Sequence, residues 1–374
     1  MMKVALFVAV VSFSSQVFAQ EKANFTYSFQ DIKRIDVMAV EDQCATGTCW
    51  SFATTSFLEA EILRKKGERV DLSEMYTVRM TYPRKADSFV RFQGTQQFGP
   101  GGLSHDLIHV MDTYGIVPES AFSGFVKGEN RYDHGALDTE LKGAVDKVLA
   151  EHQNADGNNW KLRIDEMLNQ RIGVPPVNFQ FEKESYTPAS FRDHFELKSS
   201  DYVSLSSFSH HPFYKSFVLE VPDNWAKGQF YNLPIEELMR VMREAIMQGY
   251  TIAWDADVSE DGFSFQQGIA LLPSNAKEKE GLWKRRIEES SLSQSVRQEE
   301  FDRFLTTDDH LMHITGMAKD NFGTMYFITK NSWGEGNPYR GYQYVSEAYA
   351  AMKTVGILIH KDALPQDIRK KLGL

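Results

Sequence analysis

The chain has 374 residues, a formal net charge of −10 and a pI near 5.5, with 42% hydrophobic and 13% aromatic residues. That apolar content supports a packed core and excludes a disordered chain. The acidic balance disfavours a nucleic-acid partner, which needs a basic patch. The only cysteines, Cys44 and Cys49, exclude a disulfide scaffold and a four-cysteine zinc site.

Lys3, the apolar run from Val4 to Val11 and the small residue closing Val17-Phe18-Ala19 read as a secretory signal, residues 1–19, cut after Ala19. A membrane-spanning anchor needs about 20 predominantly apolar residues, more than this run supplies. No cysteine follows it, so a lipid anchor is not indicated. An exported product, periplasmic or extracellular and without a stable membrane anchor, is expected. Asn24-Phe25-Thr26 fits a glycosylation acceptor, relevant only in a eukaryotic secretory pathway.

Residues 20–40 read as an extended lead-in. Trp50, Ala53, Phe57 and Ala60, with Leu58 and Ile62, recur at helical spacing over 49–66. Arg64, Lys65 and Lys66 fill its last turn, and Gly67 stops it. A second helix is predicted around 104–114. Two more lie between 136 and 173: Leu137, Leu141, Val145 and Val148 form one stripe, and Trp160, Ile164, Leu168 and Ile172 another. Polar residues 153–159 join them. Residues 233–248 form a helix between Pro234 and Gly249, and Tyr250 to Val258 a strand. Residues 275–309 turn charged and irregular, which favours a solvated excursion with helical pieces over a flap. His310–Met317 and Met325–Thr329 are β-prone runs joined by a turn at 320–323. One domain with a helical insertion is expected.

The chemistry concentrates in residues 42–53. Gly47 precedes Cys49, and Cys49 opens a helix. Free amides and the dipole at a helix N-terminus favour an anion, so a thiolate nucleophile is expected there. Gln43 lies six residues upstream, where its amide can join the Cys49 backbone N–H in an oxyanion hole. A cysteine at a helix start is often only a small buried residue; Gln43, Gly47 and Trp50 at their spacings favour the nucleophile. The base partner is His310, after Asp308-Asp309, and Asn331 in Lys330-Asn331-Ser332-Trp333-Gly334 ends the next strand beside it. The asparagine oxygen would fix the imidazole tautomer, with Trp333 covering that bond. His310 and His313 form an H-x-x-H, but period-two alternation sends them to opposite faces, so no metal site is expected. His210-His211-Pro212 reads as a loop without a partner.

At Gln43, Gly47-Thr48-Cys49-Trp50-Ser51-Phe52-Ala53, His310 and Asn331-Ser332-Trp333-Gly334 the sequence resembles the papain-like cysteine peptidases. Within them it is similar to the bleomycin hydrolase and aminopeptidase C branch. His310 follows Cys49 by 310 − 49 = 261 residues, against roughly 130–150 in papain-type enzymes. The segments 186–191, 229–234, 201–203 and 254–258 also resemble that branch. The resemblance implies an α+β, papain-like two-lobed fold, with a helical left lobe and a β-barrel right lobe. Residues 20–374 form the peptidase domain, with a mainly helical insertion at about 125–250. It implies a thiol peptidase needing no cofactor: Cys49 as nucleophile, His310 as base, Asn331 as its orienting partner and Gln43 at the oxyanion. Gly101 and Gly102 would meet the backbone of a peptide substrate; by family position Leu103, Ser104 and Asp309 would line the pocket.

The family's bridging cysteine position is Thr46 here, so that disulfide is expected to be absent. A Cys44–Cys49 bond would be an oxidised, inactive form that reductant rescues. In the branch, a C-terminal arm lies in the cleft and its carboxylate meets the substrate amino group. Here the sequence stops at Leu374, soon after Ala363-Leu364-Pro365, so a shortened arm is expected. Aminopeptidase action is favoured. An endopeptidase, a cell-wall peptide amidase and a catalytically silent peptide-binding relative stay open, as does a homo-oligomer.

Overall fold

The structure, a computed structural model, describes residues 26–126, 128–151 and 159–374. The signal segment, Asn24 and most of the 153–159 connection lie outside these residues. In chain order the elements are β1 (Phe29–Arg34), α1 (Cys49–Lys66), α2 (Glu74–Arg91), α3 (Ser104–Tyr114), α4 (Gly135–Ala150) and α5 (Asn159–Arg171). Next come β2 (Phe179–Phe181), β3 (Glu184–Tyr186), α6 (Pro188–His194), β4 (Tyr202–Ser206), β5 (Ser216–Val218), β6 (Gln229–Asn232), α7 (Ile235–Gln248) and β7 (Ile252–Ala256). The last are β8 (Phe263–Ser264), β9 (Ile269–Ala270), α8 (Gln294–Asp302), β10 (His310–Asp320), β11 (Met325–Lys330), β12 (Tyr342–Ser346), α9 (Glu347–Lys353), β13 (Thr354–His360) and α10 (Gln366–Leu372).

Helix α1 is buried along most of its length, from Trp50 to Ile62, rather than on one stripe. It packs against α2 and α3 on one side and β10 on the other, and so becomes the shared wall of two cores. The first core gathers Phe57, Leu58, Tyr82, Leu141 and Leu168 from the helices. The second lies between the sheet and helices α7 and α9, around Trp254, Met312 and Tyr349. Each fully buried Phe or Leu contributes about 1.5–3 kcal/mol. Gly67, at φ 72°, ends α1 in the left-handed conformation that glycine adopts without strain.

Helix α2 buries a stripe of Met75, Val78, Tyr82, Ala86 and Phe89, but Pro83 inside it hid the helix in the sequence. Ser73 starts it by accepting from the Tyr76 amide at 3.0 Å. The main sheet has eleven strands, in the order β5-β6-β4-β13-β7-β10-β11-β12-β9-β8 with β1 on β10. Among the described residues no ladder joins β5 to β8, so the β-barrel of the resemblance is seen as one open sheet path. Residues 125–250 hold α4 to α7 and β2 to β6; β4 pairs with β13 and β6 with β4, which ties this segment into the main sheet. The charged stretch 275–309 is less solvated than its composition suggests. Arg297 of α8 is fully buried and donates to the backbone oxygens of Ser207, Ala351, Met352 and Thr354.

Candidate active site

Cys49 is the first residue of α1. Backbone bonding there begins with Ser51, whose N–H donates to Thr48 O at 2.9 Å, leaving the Cys49 amide outside the ladder. Gly47 is required by packing: a Cβ would lie 2.5 Å from Pro100 Cγ. Trp50 Nε1 donates to Pro100 O at 2.9 Å, which holds the 100–102 segment against the start of the helix. Gln43 is buried. Its Nε2 donates to Thr46 O at 2.8 Å, and its Oε1 accepts from Ser332 Oγ at 2.7 Å. The second hydrogen of that amide is the one available to an oxyanion. Both thiols are free, with Cys44 Sγ turned to Asp42 O at 3.4 Å.

His310 begins β10 and Asn331 directly follows β11. In the antiparallel ladder His313 lies opposite Lys330, and continuing that register sets Trp333 opposite His310. His310 Nε2 donates to Asn331 Oδ1 at 2.8 Å. The asparagine orientation is fixed by its neighbours: Ser332 N donates to Oδ1 at 2.7 Å, and Nδ2 donates to Gln343 Oε1 at 2.7 Å. Nδ1 is thereby left as the basic nitrogen. Trp333 stacks on the imidazole, with centroids 4.5 Å apart and planes at 23°. The Leu311 amide, one residue beyond His310, contacts the Cys49 sulfur.

Burial and neighbouring charges act on both the thiol and the imidazole. Burial pushes the Cys49 thiol up to about 12; the Leu311 amide pulls it back, while Asp308, Asp255 and Asp223 push it further up. Burial also pushes His310 down to about 4, against the Asn331 hydrogen bond. Desolvation thus favours the neutral thiol and the neutral imidazole; on the sulfur it acts only in part, since Cys49 keeps intermediate exposure.

The glycines stand beside this pair. At Gly101 the place of a Cβ is taken by the Asp223 carboxylate, whose Oδ2 would be 1.9 Å away. Gly102 lies against the Trp50 ring, 3.1 Å from where a Cβ would be. Asp309 is engaged elsewhere than in the pocket. Its Oδ2 accepts from the Val258 and Ser259 amides at 3.2 and 3.1 Å, and its Oδ1 from Thr307 Oγ1 at 2.7 Å. Leu103 and Ser104 do line a small cavity, together with Leu311, Phe230, Gly356 and a carboxylate the sequence did not single out, Asp255. Asp223, Asp255 and Asp308 are acids whose charges act on the Cys49 thiol and to which the sequence reading gave no role. One signal was present: Asp255 interrupts the otherwise apolar centre of β7.

The remaining histidines separate cleanly. His313 points to α1, where Ser56 Oγ lies 2.8 Å from its Nδ1. His210 and His211 have a partner after all, since Glu220 lies 3.2 and 2.6 Å from their Nε2 atoms. These three form a cluster of metal-ligand type, as a group of side chains. Gln298 Oε1 accepts from Ser209 N at 2.5 Å, so its Nε2 faces His210 Nδ1 at 2.9 Å as a donor. His210 therefore carries its hydrogen on Nε2, aimed at Glu220, which is the geometry of a hydrogen-bonded pair rather than of a ligand.

Comparison with known proteins places this geometry in a lineage. The model of the Peptidase C1-like family matches residues 4–373. Aminopeptidase C of Lactobacillus helveticus is 25% identical over 382 residues, covering 90% of this chain and 82% of that protein. Aminopeptidase G of Lactobacillus delbrueckii subsp. lactis is 24% identical over 380 residues, covering 89% and 83%. The crystal structure of PepW from Lactobacillus rhamnosis HN001 superposes with a TM-score of 0.71 at 22% identity, covering 92% of this chain and 84% of that one, which shows a shared fold. With its α+β fold and a family match over almost its whole length, the chain belongs to the Peptidase C1-like family.

Proposed function

We infer that this protein is an exported cysteine aminopeptidase in which Cys49, His310, Asn331 and Gln43 carry the reaction. The observation that carries this is the His310 Nε2–Asn331 Oδ1 bond of 2.8 Å under Trp333, with Cys49 against the next residue of the same strand. The Cys49 proton passes to His310 Nδ1 as the sulfur attacks the peptide carbonyl carbon. The oxyanion is held by the Cys49 amide and the free Gln43 hydrogen. His310 returns the proton to the leaving amine, giving a thioester. Water then attacks the acyl carbon, loses its proton to His310, and the thiol is restored as the acid departs.

Family membership supports the peptidase chemistry, and the aminopeptidase names of the relatives support attack next to a free amino terminus. Export rests on the residue 1–19 pattern. Cys49→Ala is expected to abolish hydrolysis of an aminoacyl-coumarylamide; retained turnover would sink the assignment. Acetylating the substrate amino group should stop cleavage, and unchanged cleavage would make the protein an endopeptidase. Recovery of a chain beginning at Gln20 outside the cytoplasm checks the export reading.

A further inference from the structure

Three carboxylates from three separate segments act on the thiol. Asp255 comes from the middle of β7, between Leu311 of β10 and Gly356 of β13. Asp308 precedes β10, and Asp223 reaches over from the loop before β6 to lie on Gly101. Asp255 is 4% exposed; no N–H or hydroxyl among the described residues donates to its oxygens, and its polar neighbour is the Asp308 carboxyl, with which it shares a hydrogen bond. Asp308 Oδ2 likewise has no N–H or hydroxyl donor among the described residues. Two bare charges buried side by side are costly, so burial and mutual repulsion make the pair retain a proton between them. The charged groups facing Asp255 are Asp308, Asp309 and Asp223, with no cation among the charges that shift its ionisation. Lys85 is the nearest relief; it acts on Asp223 and is itself tied to the Gly99 and Gly101 oxygens. The cavity that Asp255 lines with Leu103, Ser104 and Leu311 measures about 10 Å³. That is room for one water, the size of an ammonium head.

We propose that Asp255, Asp308 and Asp223 form the binding site for the free α-ammonium group of the peptide substrate. An ammonium there replaces the proton shared by Asp255 and Asp308, which passes to solvent, and supplies N–H donors to both carboxylates. It also sets the first residue of the peptide next to Cys49, so that cleavage removes one residue. Burial first and the neighbouring acids second favour the protonated thiol; a bound ammonium offsets the acids, so the correct substrate loosens the Cys49 proton as it arrives. The proposal rests on the aminopeptidase reading and adds its molecular determinant.

The test compares wild type with Asp255→Asn and Asp308→Asn on alanyl-coumarylamide, its N-acetyl form and N-acetyl-lysyl-coumarylamide. Wild type should prefer the free amine by about a hundredfold or more in kcat/KM, and either variant should cut that preference at least tenfold, mainly through KM. Iodoacetamide alkylation of Cys49 gives a second readout independent of turnover: its pH midpoint should fall in both variants. Asp308 is partly exposed, so its variant serves even if the change at Asp255 disturbs folding. Failure of wild type to discriminate would overturn the aminopeptidase reading itself. Discrimination kept intact in both variants would overturn this proposal alone. Preference for the blocked lysyl substrate, lost in the variants, would overturn it in favour of a side-chain ammonium.

Discussion

The two flanks of Cys49 are built on opposite rules. On the His310 flank the polar groups run in one chain, His310 to Asn331, Asn331 to Ser332 and Gln343, Ser332 to Gln43 and Gln43 to Thr46, with only Gln343 Nε2 of that chain left unanswered. On the Asp255 flank, carboxyl faces carboxyl, and apart from the proton these acids share, no N–H or hydroxyl among the described residues reaches Asp255. Satisfied networks fix geometry, whereas unsatisfied ones store a demand that only a ligand meets. One flank is therefore suited to holding a proton relay still, and the other to selecting what is brought to it.

The comparison is broken most severely at Asn331. Asn331→Ala removes the acceptor for His310 and two further partners. It should lower kcat about a hundredfold with little change in KM, and cost about 2 kcal/mol of stability. Steady-state kinetics with urea unfolding checks both; an unchanged kcat would remove the asparagine from the relay. Asp255→Asn is the mirror experiment, because it relieves the unsatisfied flank. It should raise unfolding stability at pH 8 by about 1 kcal/mol while affinity falls, and a lower urea midpoint would mean that the carboxylate is already compensated.

The smallest expected effect is on pH dependence. Burial raises Asp308 and Glu119 to about 7 and Glu59 to about 8. The native state therefore holds these protons where the unfolded chain, with carboxylates near 4, has lost them. Their stabilising contribution is full at low pH and is lost as pH rises through 7 and 8. Burial depresses His310 to about 4, which acts with the opposite sign between about 4 and 6.5. Between pH 6.5 and 8 the carboxylates dominate, so Tm should fall across this window. Asp308→Asn should make the fall shallower, and a Tm that rises instead would contradict the assignment.

The satisfied flank was legible in the sequence and the other was not, for a physical reason. Gln43, Cys49, His310 and Asn331 sit in short stretches with turn and helix-start signals, so spacing alone brings them to mind. Helix α3 was read at its observed bounds, and the stripes of α4 and α5 bury Leu137, Leu141, Ile164 and Leu168 as their periodicity requires. Asp223, Asp255 and Asp308 belong to three distant segments that only the sheet pairing and the loop over Gly101 bring together. Asp309 looked like the pocket residue by position, but strand alternation turns it to the 258–259 turn and leaves Asp308 facing inward. Helix α2 was hidden by Pro83 and its charged neighbours.

The segment before α1 and the loop after β11 are joined by backbone as well as by side chains. Gln43 N donates to Ser332 O at 2.9 Å, Gly334 N to Glu41 O at 3.2 Å, and Asp42 bridges to Trp333. Gln43 and the Asn331-Ser332 segment, proposed above as oxyanion donor and partner of the base, thus ride on one small ladder that crosses from one core to the other. Fraying of that ladder would remove both functions together, leaving no half-competent form. Inactivation in mild denaturant should then be a single cooperative step, coincident with exposure of the Gln43 and Gly334 amides to hydrogen exchange.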